Sequence, residues 1–382
     1  MKRNATTQKM NRDTARLVRF ALALHASGSQ LESQTWQRQL GDAIAVLFQK
    51  KQNDILEQAL DYLWLENPAA CDVLAELIEG YAESLTEDEQ TNAVLIAIPL
   101  LAWSRYAISA GRLNKQRLQE LRERMKADLL ASDVRLALAD ILYSPDQLPR
   151  GFIETRALLQ QLALSALSEE DVCLDSTELA AAGEFVADVR YIFAAVVVKK
   201  GAPIFRWQQA EMTQQEVLQT WRANTESIFK AILPGCHFNS LLPNAFFSAW
   251  RKLEQEARVF SLRAAVSYLC VVLNLKPQDL RAVVSPFYEQ TLEEYRIGFS
   301  LANGSSILHG VVWPLIGEET EETDIVSQIE RELAGLDKVI VLRTGMPMEY
   351  CDDCGTPLFP NAEGEMVHPE MPETEETAPQ LH

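Results

Sequence analysis

The spacing of apolar residues changes near residue 190, and this change constrains the fold more than any other feature of the sequence. Over residues 12–142, apolar residues recur at intervals of three and four, which is typical of amphipathic helices. Helices are predicted near 12–26, 34–49, 53–64, 70–84, 88–109, 114–131 and 133–142. From Arg190 onward, β-rich runs alternate with helical segments. The sequence therefore predicts an α+β protein that begins with a helical bundle, or with a short array of helical repeats.

The loop at residues 144–150 is the predicted boundary between two domains. Two prolines and a glycine fall within residues 143–151, and such punctuation is typical of an ordered connection. Four regions follow from this division: an all-helical domain at 1–150, an α+β domain at 151–345, a segment resembling a metal knuckle at 346–368, and an acidic, disordered tail at 369–382.

Two parts of the predicted α+β domain share one order of elements. The first has strands at 190–198 and 202–207 and a helix at 213–232; the second has strands at 294–299 and 307–313, a helix at 322–335 and a further strand at 338–342. Helices at 244–258 and 261–274 lie between them. This order suggests a duplicated ββα unit and a mainly antiparallel sheet.

Charge and hydropathy exclude several classes of function. The 382 residues carry 54 Asp and Glu against 35 Lys and Arg, a formal charge of −19. Such a surface repels phosphate backbones, so no nucleic-acid partner is expected. No apolar run reaches the length of a membrane span, so no membrane partner is expected either. Six scattered cysteines predict a reduced, cytoplasmic protein rather than a disulfide scaffold.

The segment from Tyr350 to His368 is the one place where residue type and spacing together imply specific chemistry. Cys351 and Cys354 have the spacing of two thiolates that grip one metal ion in a tight turn. Gly355 permits the left-handed backbone that such a turn needs. His368 follows at the distance typical of a Cys2His2 site. We therefore predict a structural zinc site with Cys351, Cys354 and His368 as ligands.

The fourth ligand is not fixed by the sequence. Glu370 or Glu373 could supply an oxygen, the pair Cys236 and His237 could reach across the fold, or water could complete the shell. Two alternatives to a metal site remain open. A redox dithiol fits less well, because such motifs usually open a helix and Pro357 and Pro360 oppose one here. The other alternative is a pair of unligated thiols.

Other candidate sites have weaker patterns. Cys236 and His237 are adjacent, but neighbours in sequence usually point apart, so a loop is the preferred interpretation. His309 alternates with apolar residues and is interpreted as a half-buried structural histidine. Residues 103–106 and the loop at 144–150 are rich in hydrogen-bonding and aromatic groups, and we expect a pocket there.

Several distinctive segments resemble a family of uncharacterised proteins from betaproteobacteria. They are RLVRFALALHASGSQLESQTWQRQL at 16–40, AWSRYAI at 102–108, LADILYSPDQLPRGFIET at 138–155, LEEYRIGF at 292–299, HGVVWPL at 309–315 and residues 350–373. The resemblance spans nearly the whole chain. It implies a bacterial cytoplasmic protein, and the family has no assigned activity that could be transferred.

Two classes of function are consistent with these features. The first is a non-enzymatic interaction or regulatory protein with a structural metal, acting on an unknown protein partner or on a second copy of itself. The second is an enzyme of unrecognised class that uses a cleft at the domain boundary or an open metal site. A deep pocket lined by titratable groups at 144–150 would favour the enzyme, and an exposed apolar patch would favour the interaction protein.

Overall fold

The computed structural model describes residues 10–86, 90–168, 173–174, 179–183, 185–209, 212–317 and 319–371. Within these residues there are nine α-helices: α1 (Arg12–His25), α2 (Gln30–Gln49), α3 (Asn53–Glu66), α4 (Pro68–Glu83), α5 (Lys115–Arg124), α6 (Phe152–Ser168), α7 (Gln214–Ile232), α8 (Phe246–Val272) and α9 (Ile325–Glu332). The same residues form fifteen strands: β1 (Ser84–Thr86), β2 (Thr91–Trp103), β3 (Gly111–Arg112), β4 (Arg135–Leu138), β5 (Ile141–Leu142), β6 (Ala187–Lys199), β7 (His237–Ser240), β8 (Asn244–Ala245), β9 (Leu280–Tyr288), β10 (Leu292–Leu301), β11 (His309–Pro314), β12 (Lys338–Val341), β13 (Met346–Pro347), β14 (Phe359–Pro360) and β15 (Met366–Val367). No helix in the described part of the chain is both long and apolar enough to cross a membrane.

Helices α1 to α4 form the N-terminal helical layer. Side chains cap several of their first turns: Asn11 accepts from the Asp13 N–H, and Asn67 accepts from the Ala70 N–H. Leu17, Ile44 and Leu74 are fully buried where the helices pack on each other and on the first sheet. The α+β class predicted from the sequence is confirmed, with four helices before the first strand.

The first sheet has the strand order β1-β2-β6-β4, and β7 and β8 also pair with β2. Its two long strands, β2 and β6, are antiparallel along their whole length. Alternate residues of β2 enter different cores. Leu95 and Ala97 pack under α1 to α4 and α6, whereas Ile96 and Ile98 pack on the other face against α5 and α7. The sheet is therefore buried on both faces.

The predicted helices at 88–109 and 133–142 are wrong, because these segments contain β2, β4 and β5. A strand that is buried on both faces has an unbroken apolar run instead of the alternation that identifies a half-buried strand. Residues 1–150 are consequently not all-helical. Strands from both sides of residue 150 also share the first sheet, since β6 pairs with both β2 and β4. The division of the chain into separate folding domains remains a prediction.

The second sheet has the order β11-β10-β9-β12, with β13 also paired to β9. Its neighbouring strands β9, β10 and β11 are antiparallel, whereas β12 and β13 run parallel to β9. One face packs on α9 and on the second half of α8, with Ile297 and Phe299 in this core. Helix α8 is continuous where two helices were predicted. It reaches from Phe246 in the first core to Leu269 in this one.

The predicted return strand at 202–207 is also wrong. Phe205 forms only an isolated bridge to Leu130, and a single 3-10 turn follows at Arg206–Gln208. The second predicted unit does form its strands and helix, as β10, β11, α9 and β12. Because the first unit lacks its return strand, the structure gives no support for a duplicated ββα unit.

Candidate metal centre

The knuckle, residues 350–357, is a tight turn held by backbone hydrogen bonds. Tyr350 and Pro357 form a bridge at its base. The Cys351 N–H donates to the Thr356 carbonyl at 2.8 Å, and the Gly355 N–H donates to the Cys351 carbonyl at 2.8 Å. Gly355 has a φ of +71°, the left-handed conformation that was expected of it. The turn therefore presents both cysteines from one end of a short loop.

The C-terminal hairpin, formed by β14 and β15, brings His368 back to the knuckle. Phe359 pairs with Val367, and Pro360 pairs with Met366. The buried Asn361 closes the hairpin turn, because its Oδ1 accepts from the backbone N–H of Glu365 at 2.8 Å. His368 directly follows β15, so the hairpin sets its position relative to the two cysteines.

The three predicted ligands come together. The Sγ atoms of Cys351 and Cys354 and a ring nitrogen of His368 all lie within 4.8 Å of one another. The Cys354 Sγ is 3.3 Å from His368 Nε2. Cys354 and His368 are exposed, and Cys351 is half-buried. This group of two thiols and one imidazole could hold a metal ion at the protein surface.

The surroundings of Cys354 favour its thiolate. Hydrogen bonds with the side chain and backbone of Thr356, and then with His368 and Cys351, lower the pKa of the Cys354 thiol to about 6. A pKa of about 6 favours the thiolate of Cys354 at neutral pH. The thiolate is the form that binds metals and attacks disulfides. The residues around it form turns and not a helix N-terminus, so they lack the element that usually activates a redox dithiol.

No fourth ligand joins the group among the residues that the structure describes. Cys236 directly precedes β7 of the first sheet, and His237 is the first residue of this strand, where it pairs with Trp103 and its ring stacks on Phe260. Glu370 is not part of the group either; its N–H donates to the Ile307 carbonyl at 2.8 Å. Glu373 and the rest of the predicted disordered tail from residue 372 lie outside the described residues.

Arg296 on β10 anchors the knuckle to the second sheet. Its guanidinium is fully buried, and Nη1 donates to the carbonyls of Glu349 at 2.6 Å and Leu358 at 2.9 Å. Nε pairs with the Glu294 carboxylate at 2.6 Å. The guanidinium also lies 5.0 Å from the ring centroid of Tyr350. One side chain thus binds the backbone on both sides of the knuckle.

Two paired glycines make room for the hairpin on the same face of the sheet. Gly298 on β10 pairs with Gly310 on β11. A Cβ at Gly310 would lie 2.4 Å from ring atoms of Phe359, and one at Gly298 would lie 2.5 Å from the Pro360 carbonyl oxygen. The hairpin therefore packs directly on the sheet backbone. Sequence reasoning missed these positions, although two glycines within β-rich runs signal a close backbone approach.

The other candidate residues do not form a catalytic arrangement. Burial raises the pKa of the Cys236 thiol, which favours the unreactive protonated form. His309 faces Tyr268 of α8 with ring centroids 5.7 Å apart, and burial lowers its pKa to about 4. It is therefore neutral at pH 7, as its interpretation as a structural histidine requires.

A cavity of about 500 Å³ lies beside the loop at 144–150, where a pocket was expected. This loop and the start of α6 form one side, with Leu148 and Phe152 among the lining residues. Sequence reasoning missed the opposite wall, which comes from Phe246, Phe247 and Trp250 on α8. These residues follow the loop by about a hundred positions, and no local pattern links them to it.

Comparisons with known proteins identify a family for this chain but no biochemical activity. The model of a family described as "Protein of unknown function (DUF2863)" matches residues 2–382. This match confirms the predicted resemblance to a nearly full-length family without an assigned activity. No curated protein and no solved structure matched the chain.

Proposed function

The chain belongs to this family of unknown function, and from its own residues we propose that it is a zinc-binding, non-enzymatic interaction or regulatory protein. The observation that carries the proposal is the convergence of Cys351, Cys354 and His368 on one point, with all ligand atoms within 4.8 Å. Two thiolates and one imidazole are the donor set that zinc prefers over calcium or magnesium. The remaining position is left to water or to a further carboxylate.

The proposed role of the metal is structural. A zinc ion that joins Cys354 to His368 closes a loop across 14 positions of the chain. Closing a loop of this length removes conformational freedom from the unfolded chain and stabilises the fold by about 2–3 kcal/mol. The ion would fasten the hairpin onto Gly298 and Gly310 and so keep this face of the second sheet covered. A reduced cytoplasm would keep both thiols available for the metal.

The proposed interaction role is supported by apolar side chains at the surface. Near the end of α3, Tyr62 is 40% exposed, Trp64 52% and Leu65 83%. Exposed apolar clusters of this kind mark contact surfaces for other proteins or for a second copy of the same chain. The formal charge of −19 repels phosphate backbones, so the proposed partner is a protein and not a nucleic acid.

Removal of zinc tests the structural role. We expect a chelator to accelerate amide hydrogen exchange in peptides covering residues 349–368, while exchange in α1 to α4 stays unchanged, because the metal fastens only the knuckle and hairpin. The Cys236→Ser variant, whose thiol is remote from the group, should respond as the wild type does. Equal exchange in the presence and absence of zinc would contradict the proposal.

An enzyme of unrecognised class is the second candidate, and the cavity beside residues 144–150 is the observation that favours it. Within the described residues, neither histidine nor cysteine lines this cavity, so proton transfer there would fall to carboxylates such as Asp61 and Asp146. If the cavity only binds a ligand, these carboxylates are not required to transfer a proton.

A further inference from the structure

The cavity beside residues 144–150 has the size of a small-molecule site. Its volume of about 500 Å³ falls within the range usual for ligand pockets. Helix α3 forms one wall, the loop with the start of α6 forms the second, and the start of α8 forms the third. Leu60 and Leu148 contribute aliphatic surface, so the interior suits a ligand with an apolar body.

Aromatic rings dominate the wall formed by α6 and α8. Phe246 and Phe247 are buried with ring centroids 4.8 Å apart, and Phe152 lies 5.9 Å from Phe247. Trp250 stacks on Phe246 at 6.1 Å and remains 38% exposed at the mouth. Its side chain is also hydrogen-bonded to Glu254. The faces of such rings attract cations, tryptophan most strongly.

The charged residues at the cavity are mostly acidic. Glu57 and Asp61 lie one turn apart on the exposed side of α3, and Asp146 lies on the loop. Helix α3 contains no basic residue. Among the described lining residues, Arg150 is the single cation. Three carboxylates against one guanidinium give a negative potential, which concentrates cations and repels anions.

Asn53 connects the acidic wall to the loop. Its Oδ1 accepts from the Phe152 N–H at 3.1 Å, and its Nδ2 donates to Glu57 Oε1. A Cβ at Gly151, where φ is +153°, would lie 2.6 Å from Asn53 Nδ2. Glycine at this position lets the loop approach α3, and the same amide holds Glu57 at the rim.

From these observations we propose that the cavity binds a small organic cation with an apolar body. The ammonium group lies between Trp250 and the carboxylates of Glu57 and Asp61, and the apolar part covers Phe246 and Phe247. A hydrated inorganic cation would gain nothing from the aromatic wall, because it keeps its water shell. This binding site is independent of the zinc group and of its proposed role.

Three probes with the same apolar body and different charges test this assignment. They are 4-phenylbutylamine, 4-phenylbutanol and 4-phenylbutyrate, titrated into the full chain and followed by calorimetry and ligand-observed NMR. We expect the amine to bind about tenfold more tightly than the alcohol, and the butyrate to bind most weakly. Equal binding of the three probes, preference for the butyrate, or no binding of the amine at millimolar concentration would overturn the proposal.

Substitutions at exposed positions test where the cation binds, and they should leave folding intact. We expect Trp250→Ala to weaken amine binding about fivefold or more through loss of the aromatic face. Asp61→Asn should weaken binding of the amine and leave binding of the alcohol unchanged, because only the charge is removed. Glu66→Gln, an exposed substitution on the same helix and outside the lining, removes one carboxylate, is the matched control and should bind as the wild type does. Amine binding that survives both Trp250→Ala and Asp61→Asn would place the cation elsewhere.

Discussion

The Nη1 of Arg296 donates a hydrogen bond to the carbonyl of Leu358 at 2.9 Å, from a guanidinium that is fully buried beneath the knuckle. The same nitrogen also reaches the carbonyl of Glu349, on the other side of the two cysteines. The position of the candidate metal centre is therefore set by a charged residue of the second sheet. Its local turn alone does not determine where the site lies.

Replacing Arg296 should loosen the knuckle and destabilise the protein. In Arg296→Met the Glu294 carboxylate, only 13% exposed, loses its partner, and two backbone carbonyls lose their donor. We expect the free energy of unfolding in urea to fall by about 3–5 kcal/mol. Arg263→Met removes an exposed ion pair with Glu332 and should cost less than about 1 kcal/mol. Similar losses in both variants would contradict the anchoring role of Arg296.

Gly310 should tolerate no side chain while Phe359 covers it. A Cβ there would lie 2.4 Å from the Phe359 ring, so Gly310→Ala should lower the free energy of unfolding by about 1–3 kcal/mol. Gly80→Ala is the matched control: it lies in α4 with no atom within 4 Å of its added Cβ, and it should stabilise the protein by about 0.5–1 kcal/mol. Combination with Phe359→Ala should recover part of the Gly310→Ala loss. If the losses in free energy of unfolding from Gly310→Ala and Phe359→Ala are fully additive, the two residues are not in contact.

Ionisation of Glu83 should lower the free energy of unfolding as pH rises. Burial raises the pKa of this carboxyl to about 7, the Phe247 N–H opposes the shift, and Glu79 and Arg251 are the charged neighbours. The folded state thus binds this proton more tightly than the unfolded chain, whose carboxyl has a pKa of about 4.3. Its contribution to stability is complete below about pH 4 and declines as pH rises to about 7.

The Glu83→Gln variant isolates this effect. Glutamine can still accept from the Phe247 N–H but does not ionise, so at pH 8 the variant should be about 1–3 kcal/mol more stable than the wild type. The difference should shrink towards pH 5 in urea titrations. Glu66→Gln, an exposed substitution at the end of α3, serves as the control for removal of one acidic charge. A difference that does not change with pH would rule out ionisation of Glu83 as its cause.

The success of sequence reasoning differed from strand to strand for a physical reason. The strands around Ile297 and Val339 lie between clear turn signals, and they were predicted as strands. Strands β2 and β6 are both covered on both faces and lack alternation. The valine-rich run of β6 was nevertheless predicted as a strand, whereas the leucine- and alanine-rich run of β2 was interpreted as a helix. The helix predicted at 88–109 covers all 13 residues of β2.

The candidate metal centre was predictable in its ligands but not in its support. Cys351, Cys354 and His368 lie within 18 residues of sequence, and their spacing carries the prediction. Arg296 supports the site by donating to the Glu349 and Leu358 carbonyls, and Gly310 supports it by lying directly under Phe359 of the hairpin. Such contacts join residues that are distant in sequence. The glycines within the strands signal a close backbone approach, but no local pattern identifies the segment that approaches them.

The zinc content of the purified chain tests the central claim most directly. Elemental analysis after purification without chelators should find about one zinc ion per chain in the wild type and in Cys236→Ser, because Cys236 lies outside the ligand group. The Cys351→Ser, Cys354→Ser double variant should hold less than about a tenth of that amount, since it lacks both thiolates. A wild-type protein without stoichiometric metal, or a double variant that retains it, would contradict the assignment of these residues as a zinc site.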